Sequence, residues 1–308
     1  GAELKYGENP HQSARFFPHR KLGPRFLGQF SYNNVRDAEA ALRFVTVFRQ
    51  PAVAVVKHQT LCGASVGLKS SSQNEVFEWA WEGDPVSRFG GVLAFNFLPT
   101  EEVTQTLKNK FVELIVLPRT MDSELWAEKL LAEKSRVKIL LLEHSWGEDL
   151  SKIQETHIGI LGSLQQQSDA IDSIGCEFDS GKLLETFGQW AGACSKSNAM
   201  ILAGLNNEQN IVFMAGAGQG QPNRVDALKI LALPRAKDFC ERRNVKIQDL
   251  LCFSDAFLPF DDCIKVLHEF GVKRLVQPGG SKADEEVSKT ASELGVEMTL
   301  SKIRHFWH

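Results

Sequence analysis

At 308 residues the chain has room for two domains of ordinary size, and with 43% hydrophobic and 24% charged residues it has the composition of a globular protein. Lysine plus arginine number 35 against 38 aspartate plus glutamate; the net charge of −3 gives no electrostatic case for a nucleic-acid or membrane-surface partner and leaves any anionic ligand to a few local basic groups. Apolar runs such as Ile139 to Leu142 are far too short to span a bilayer, and the N-terminus has no signal-peptide pattern, which points to the cytoplasm. Six cysteines, at 62, 176, 194, 240, 252 and 263, are scattered without a CxxC pair and are expected to be reduced thiols. The leading Gly1-Ala2 reads as a cloning remnant, so the native protein is expected to begin elsewhere or to carry a further domain upstream.

The opening Leu4 to Gln12 is rich in Gly, Asn and Pro and reads as a loop, yet it holds Lys5, Tyr6, His11 and Gln12; it is either a binding loop or an ordered surface arm. Helical spacing with an acidic start covers Asp37 to Phe48. Ala52 to Val56, small and β-branched, predicts a strand buried on both faces that delivers Lys57 and His58 at its C-terminal end. A permanent cation beside an imidazole suits oxyanion stabilisation with proton abstraction, while the plainer reading is a buried strand reaching water. Gly83 to Gly91 is turn-rich, and its paired glycines before the strand Val92 to Phe95 indicate a close backbone approach. A helix over Pro99 to Lys110 leads to the strand Val112 to Pro118, where Glu113 needs a partner, a function or a solvent-facing edge. Strands are predicted at Val137 to Leu142 and Ile158 to Gly162, followed by a polar turn at Gln165 to Ser168; a soft boundary near residue 168 divides the chain into 1–168 and 169–308.

The second half repeats the rhythm. A helix at Gly181 to Ala193 and the segment Ser195 to Met200 precede a strand from Ile211 to Ala215. Gly216 to Gly220 then reads as a glycine-rich turn into a helix holding Val225 to Leu233; Gln221 stands where a GxGxxG fingerprint would need glycine. A strand at Leu251 to Phe253, a polar stretch Ser254 to Asp262 and a helix from Cys263 to Phe270 follow. After a strand at Arg274 to Gln277, Ser281 and Asp284 have capping-box spacing for a helix from Ser281 to Leu294, stopped by Gly295. The terminal Arg304 to His308 is either functional or a docked tail. Alternating strands and helices predict an α/β fold with largely parallel pairing. Neither CxxC nor HxE with PCxxC is present, which argues against zinc, and no GxSxG elbow suggests a serine hydrolase.

Nine ordered blocks, LKYGENPHQ, VVKHQTLCG, DPVSRFGGVLAFN, FVELIVLP, SKSNAMILA, GAGQ with NRVDA, SDAFLPF, PGGSKADEEV and RHFWH, closely resemble the AICAR transformylase domain of the bifunctional AICAR transformylase/IMP cyclohydrolase family, from Leu4 to His308. The resemblance implies two tandem cytidine-deaminase-like α/β/α subdomains without zinc and a homodimer with active sites at its interface. It implies formyl transfer from 10-formyltetrahydrofolate to the 5-amino group of AICAR ribonucleotide in purine biosynthesis, with the cyclohydrolase domain absent from this chain. By the same match His58 is the base and Lys57 the oxyanion stabiliser. Lys5, Tyr6, Gly90, Glu113, Asn198, Arg224, Phe257 and Arg304 match AICAR contacts, and Val225, Asp262, Ser281 and Lys282 match the folate side. The chain differs from the family pattern at Lys5, where arginine is usual, at Thr60-Leu61 in place of Asn-Pro, at Gly220-Gln221, which reads as an insertion, and at Trp307, often a basic residue. Two other readings stay open: a nucleotide-binding paralogue without turnover, and a formate- and ATP-dependent ligase, for which no GxxxxGK[ST] loop is present.

Overall fold

The computed structural model of the chain describes residues 2–17, 23–68, 70–143, 152–156, 159–163 and 180–307; the Gln165 to Ser168 turn, the boundary near residue 168 and Cys176 lie outside the described residues. An N-terminal arm pairs β1 (Ala2–Glu3) with β2 (Arg15–Phe16). Then come β3 (Arg25–Leu27), α1 (Tyr32–Val45), β4 (Ala52–Lys57), β5 (Thr60–Gly67), α2 (Gln73–Trp81), β6 (Gly91–Phe95), α3 (Glu101–Lys108), β7 (Val112–Pro118), α4 (Met121–Glu133) and β8 (Lys138–Leu142). A separate antiparallel pair, β9 (Lys152–Thr156) and β10 (Gly159–Ser163), precedes α5 (Ser180–Ala193). The second half holds β11 (Met200–Asn206), β12 (Ile211–Gly218), a long helix α6, β13 (Leu251–Ser254), α7 (Asp262–Phe270), β14 (Arg274–Gln277), α8 (Asp284–Glu293) and β15 (Glu297–Leu300). Helix α6 is α-helical over Arg224–Asp226, π-wound over Ala227–Ala232 and α-helical again over Leu233–Arg243.

Eleven strands form one sheet in the order β15-β14-β13-β11-β12-β5-β4-β6-β7-β8-β3. Both halves follow one plan: an antiparallel hairpin, a third strand antiparallel to the first, then two more added in parallel, as β5-β4-β6-β7-β8 and as β12-β11-β13-β14-β15. The halves join where β5 meets β12 antiparallel, from Gly67 opposite Ile211 to Ser65 opposite Phe213, so they run in opposite senses. The expectation of largely parallel pairing is corrected: among the described strand pairs only β6-β7, β7-β8, β13-β14 and β14-β15 are parallel. Hairpins with short turns join β4 to β5 and β11 to β12, and such turns can only link antiparallel strands.

Helices cover both faces. In β4 the alternation sends Ala52, Ala54 and Val56 under α1 and α5, and Val53 and Val55 toward the layer of α2, α3 and α4. Ala38 and Ala41 on α1 face those strand residues, and the Phe44 and Phe187 rings, 5.3 Å apart and T-shaped, bind α1 of one half to α5 of the other. Among the described residues no helix is long and apolar enough to cross a membrane. The five described cysteines are free and buried.

Several expected boundaries shift for local reasons. Helix α1 starts at Tyr32, not Asp37, because Ser31 and Asn34 close a reciprocal capping box upstream. The segment Thr60 to Gly67, its Cys, Gly and Ser residues masking the pattern, is a buried strand, and β15 also went unanticipated. Gly216 and Gly218 belong to β12 rather than to a turn, because α6 lies so close that a Cβ at either would overlap the helix backbone, at Ala232 and Ala227. Helix α6 runs through Pro234 instead of ending before it; the wider π winding just upstream accommodates a proline that cannot donate to the helical ladder. Helix α8 proper begins at Asp284, although Asp284 Oδ2 accepts from Ser281 N and Ser281 Oγ accepts from Ala283 N, as a cap at Ser281 would require.

Gly218→Ala is expected to destabilise the protein by about 1–3 kcal/mol, an overpacking cost, read as a lower urea midpoint at unchanged slope.

Candidate active site

All fourteen candidate residues lie along one edge of the sheet. The first half presents there the C-terminal end of β4 and the N-terminal ends of β6, β7 and β8, while the second presents the N-terminal end of β11 and the C-terminal ends of β12 to β15. Gly90 and Glu113 therefore precede or open their strands, because β6 and β7 run against β4.

The first group is gathered by α1. Lys57 ends β4, and its Nζ donates to Gly90 O at 2.7 Å. Gly90 has φ +63°, and a Cβ there would meet the Phe111 ring at 2.9 Å and Lys57 Nζ at 3.5 Å, which is the close approach the paired glycines indicated. His58 is exposed and, with Gln59, forms the two-residue turn between β4 and β5. Both turn residues are left-handed, at roughly 1–2 kcal/mol each for a residue other than glycine. Asp37 on α1 accepts from both turn amides. Buried Asn34, also on α1, donates to Glu113 Oε1 at 2.8 Å, and Lys138 Nζ donates to the same oxygen at 2.9 Å, so the carboxylate in the apolar strand has its partners. Partial burial raises the Glu113 pKa, but the bonds from Asn34 and Lys138 outweigh it and hold the carboxyl below its usual range. The N-terminal arm joins at the start of α1, with Lys5 N donating to Phe30 O and Tyr32 N to Tyr6 O; the exposed Lys5 lies 5.7 Å from the Tyr6 ring centroid.

The second group is built around buried Asp255. Its Oδ1 accepts from Arg224 Nη2 at 2.9 Å and its Oδ2 from Ser197 Oγ at 2.7 Å. Arg224 Nη1 donates to Phe257 O at 3.1 Å, so this guanidinium is buried and largely engaged by the protein. Asn198 donates to the carbonyls of Gln221 and Pro222, which ties the Gly220-Gln221 segment to the start of β11. The C-terminal tail docks here: His305 N donates to Asp255 O, and Ser197 exchanges bonds with Trp307, presenting an exposed Arg304 over the Phe306 ring. Burial pushes the His305 imidazole below the usual histidine range.

Val225, Asp262, Ser281 and Lys282 sit beside the second group, on α6, at the start of α7 and in the loop after β14. Four strand spacings, about 19 Å, separate β4 from β13, so one chain does not bring Lys57 and His58 into contact with Arg224 and Phe257. Between them β5 and β12 leave a cavity of about 190 Å³ lined by Thr60, Cys62, Asp84, Gly216, Gln219 and Arg235 among others. Burial pushes the Cys62 thiol up to about 12, which makes it inert as a nucleophile. Sequence reasoning missed Asn34, Asp37, Lys138, Ser197 and Asp255. Asn34 and Asp37 carried a signal, since polar residues three apart share one face of a helix whose next positions, Ala38 and Ala41, are core.

A family model described as the AICARFT/IMPCHase bienzyme matches residues 1–234. The "Bifunctional purine biosynthesis protein PurH" of Limosilactobacillus reuteri (strain DSM 20016) is 34% identical over 322 residues, which cover 99% of this chain and 59% of that protein. Proteins of the same description from Microcystis aeruginosa and Shouchella clausii are 34% identical over 325 residues and 32% over 327, covering 99% of this chain and 59% and 58% of their own lengths. The chain thus spans less than two thirds of the length of these curated relatives.

Two outcomes test the geometry. Asn34→Ala removes a donor from Glu113 and is expected to raise its carboxyl pKa in a carbon-detected NMR titration; in wild type the contribution of this depressed carboxyl to stability is present above about pH 4.3 and is lost as the pH falls through the folded value. Asp255→Ala leaves Arg224 buried without its counter-charge and is expected to cost about 3–5 kcal/mol in denaturant unfolding.

Proposed function

Because the chain belongs to the AICARFT/IMPCHase bienzyme family, we propose that it transfers a formyl group from 10-formyltetrahydrofolate to the 5-amino group of AICAR ribonucleotide, a step of purine biosynthesis. The observation that carries this reading is the pair at the end of β4: a Lys57 ammonium bonded to Gly90 O beside an exposed His58. The amine is a weak nucleophile, its lone pair delocalised toward the ring and carboxamide. His58 takes a proton as the nitrogen attacks the formyl carbon, and the Lys57 cation stabilises the oxyanion that forms. Collapse breaks the bond from the formyl carbon to N10 of the folate, and the proton lost by the amine is matched by the one N10 gains. Atoms and charge balance without a further reactant.

In the same reading Lys5, Tyr6, Gly90, Glu113, Asn198, Arg224, Phe257 and Arg304 serve the nucleotide, and Val225, Asp262, Ser281 and Lys282 the folate. The separation of about 19 Å between β4, which carries Lys57, and β13, which leads to Asp255 and Phe257, supports a site completed by a second copy of the chain. The exposed Val86, Phe89, Phe111 and Phe260 beside the two groups supply apolar surface of the kind such an interface needs. The shared strand plan of the two halves supports a pair of deaminase-like α/β/α units.

The test is turnover of AICAR ribonucleotide with 10-formyltetrahydrofolate, followed by tetrahydrofolate release. His58→Ala is expected to lower kcat by roughly 10²-fold or more with nucleotide affinity within about three-fold. A wild-type protein that binds the nucleotide and does not turn over refutes the transferase assignment.

A further inference from the structure

The turn that carries His58 closes in two residues, and both of them, His58 at φ 52° and Gln59 at φ 61°, adopt the left-handed conformation without being glycine. Hairpins of this type normally place Asn-Gly or Asp-Gly there, so this turn needs support from outside. Helix α1 supplies it. One carboxylate, Asp37, accepts from both turn amides, His58 N to Oδ2 at 3.1 Å and Gln59 N to Oδ1 at 2.7 Å. The preceding Arg36 steadies the same turn through Nη2 to Gln59 Oε1 at 2.8 Å. Asp37 itself is fixed, because Ala38 and Ala41 beside it are buried against the sheet and Asn34, one turn earlier, is bonded to Glu113. The turn contributes little to the core: His58 is exposed and Gln59 half-buried, while the β4-β5 ladder beneath is held by its own pairs from Lys57-Thr60 to Ala52-Val66. Support of this kind sets direction more than stability.

We propose that Asp37 is a positioning residue for the reaction: by clamping the two turn amides it aims the His58 imidazole, and with it the neighbouring Lys57, at the reacting atoms without itself touching substrate. This rests on the formyl-transfer reading for its kinetic consequence, while the clamp itself is a property of the free protein. Misplacing a catalytic group by about 1 Å costs on the order of 10²-fold in rate, so loosening the turn is expected to appear in kcat and not in nucleotide binding.

The experiment compares wild type, Asp37→Ala, Gln59→Gly and the double variant. Asp37→Ala is expected to lower kcat by about 10- to 100-fold with KM for AICAR ribonucleotide within about three-fold. Gln59→Gly alone is expected to stay within about two-fold of wild type, and in the double variant to recover much of the lost kcat, because glycine adopts the left-handed conformation without help. A role for Asp37 away from the turn would not be rescued by a glycine there, and a purely structural role would lower the urea midpoint of Asp37→Ala while leaving kcat of the folded protein unchanged. Independently of any substrate, the His58 and Gln59 amides are expected to exchange at least about ten-fold faster with solvent in Asp37→Ala than in wild type. Unchanged amide exchange, or a kcat within about three-fold of wild type in Asp37→Ala, overturns the proposal, as does a folded double variant with no recovery. Should wild type fail to turn over, the formyl-transfer reading falls, and amide exchange still decides whether the clamp exists.

Discussion

Helix α1 covers the sheet through buried small residues, Ala38 and Ala41 sharing one core with Ala52 and Ala54, and this packing brings the polar groups of its first two turns to three other segments. Tyr32 holds the N-terminal arm at Tyr6, Asn34 holds Glu113 of β7, and Asp37 holds the turn after β4. These segments are far apart in sequence; β4 and β7 are linked only through their common neighbour β6, and the arm lies outside the sheet. A larger residue in place of Ala38 or Ala54 would lift the helix and lengthen all three links together, since directional bonds weaken steeply with distance. The geometry around Lys57 is in this sense set by the size of residues that never reach the edge.

The two groups of polar residues differ in kind. Around Lys57 the side chains are partly open to solvent and each is held by one or two bonds, so a ligand can compete for them. Around Asp255 the charges are already desolvated and matched, with an Arg224 side chain only 8% exposed against a fully buried carboxylate. Such a pair stabilises little relative to apolar packing, but it is costly to break and therefore defines one arrangement of the loops around it. One group leaves its polar atoms within reach of solvent, while the other holds its neighbours in place, among them Asn198, Phe257 and the tail that carries Arg304.

The strand of Ala52 to Lys57 was legible because burial on both faces leaves no room for polar alternation, and β7 was legible for the same reason, with Glu113 marked as the residue needing an explanation. What stayed hidden depended on tertiary neighbours. In TLCGASVG the small residues of β5 look like a loop until the helices above it are known, with Gly63 lying against Ala80 of α2. Gly216 and Gly218 looked like a turn for the same reason. The side chains recruited from elsewhere, Asn34, Asp37 and Lys138, sit on elements whose distance from β4 is not written in any local pattern.

The two halves share a strand plan and meet antiparallel at β5 and β12, which relates them approximately by a two-fold axis perpendicular to the sheet. Such a rotation exchanges top and bottom. The turn of one half that bears His58 corresponds to the turn between Asn206 and Ile211 in the other, at the opposite edge. A repeated unit used this way gives a single rim two unlike sets of loops, hairpin and strand starts from one copy, strand exits and helix beginnings from the other. Division of labour between the copies is thus a consequence of their orientation, and neither has to abandon its architecture for the two to become different.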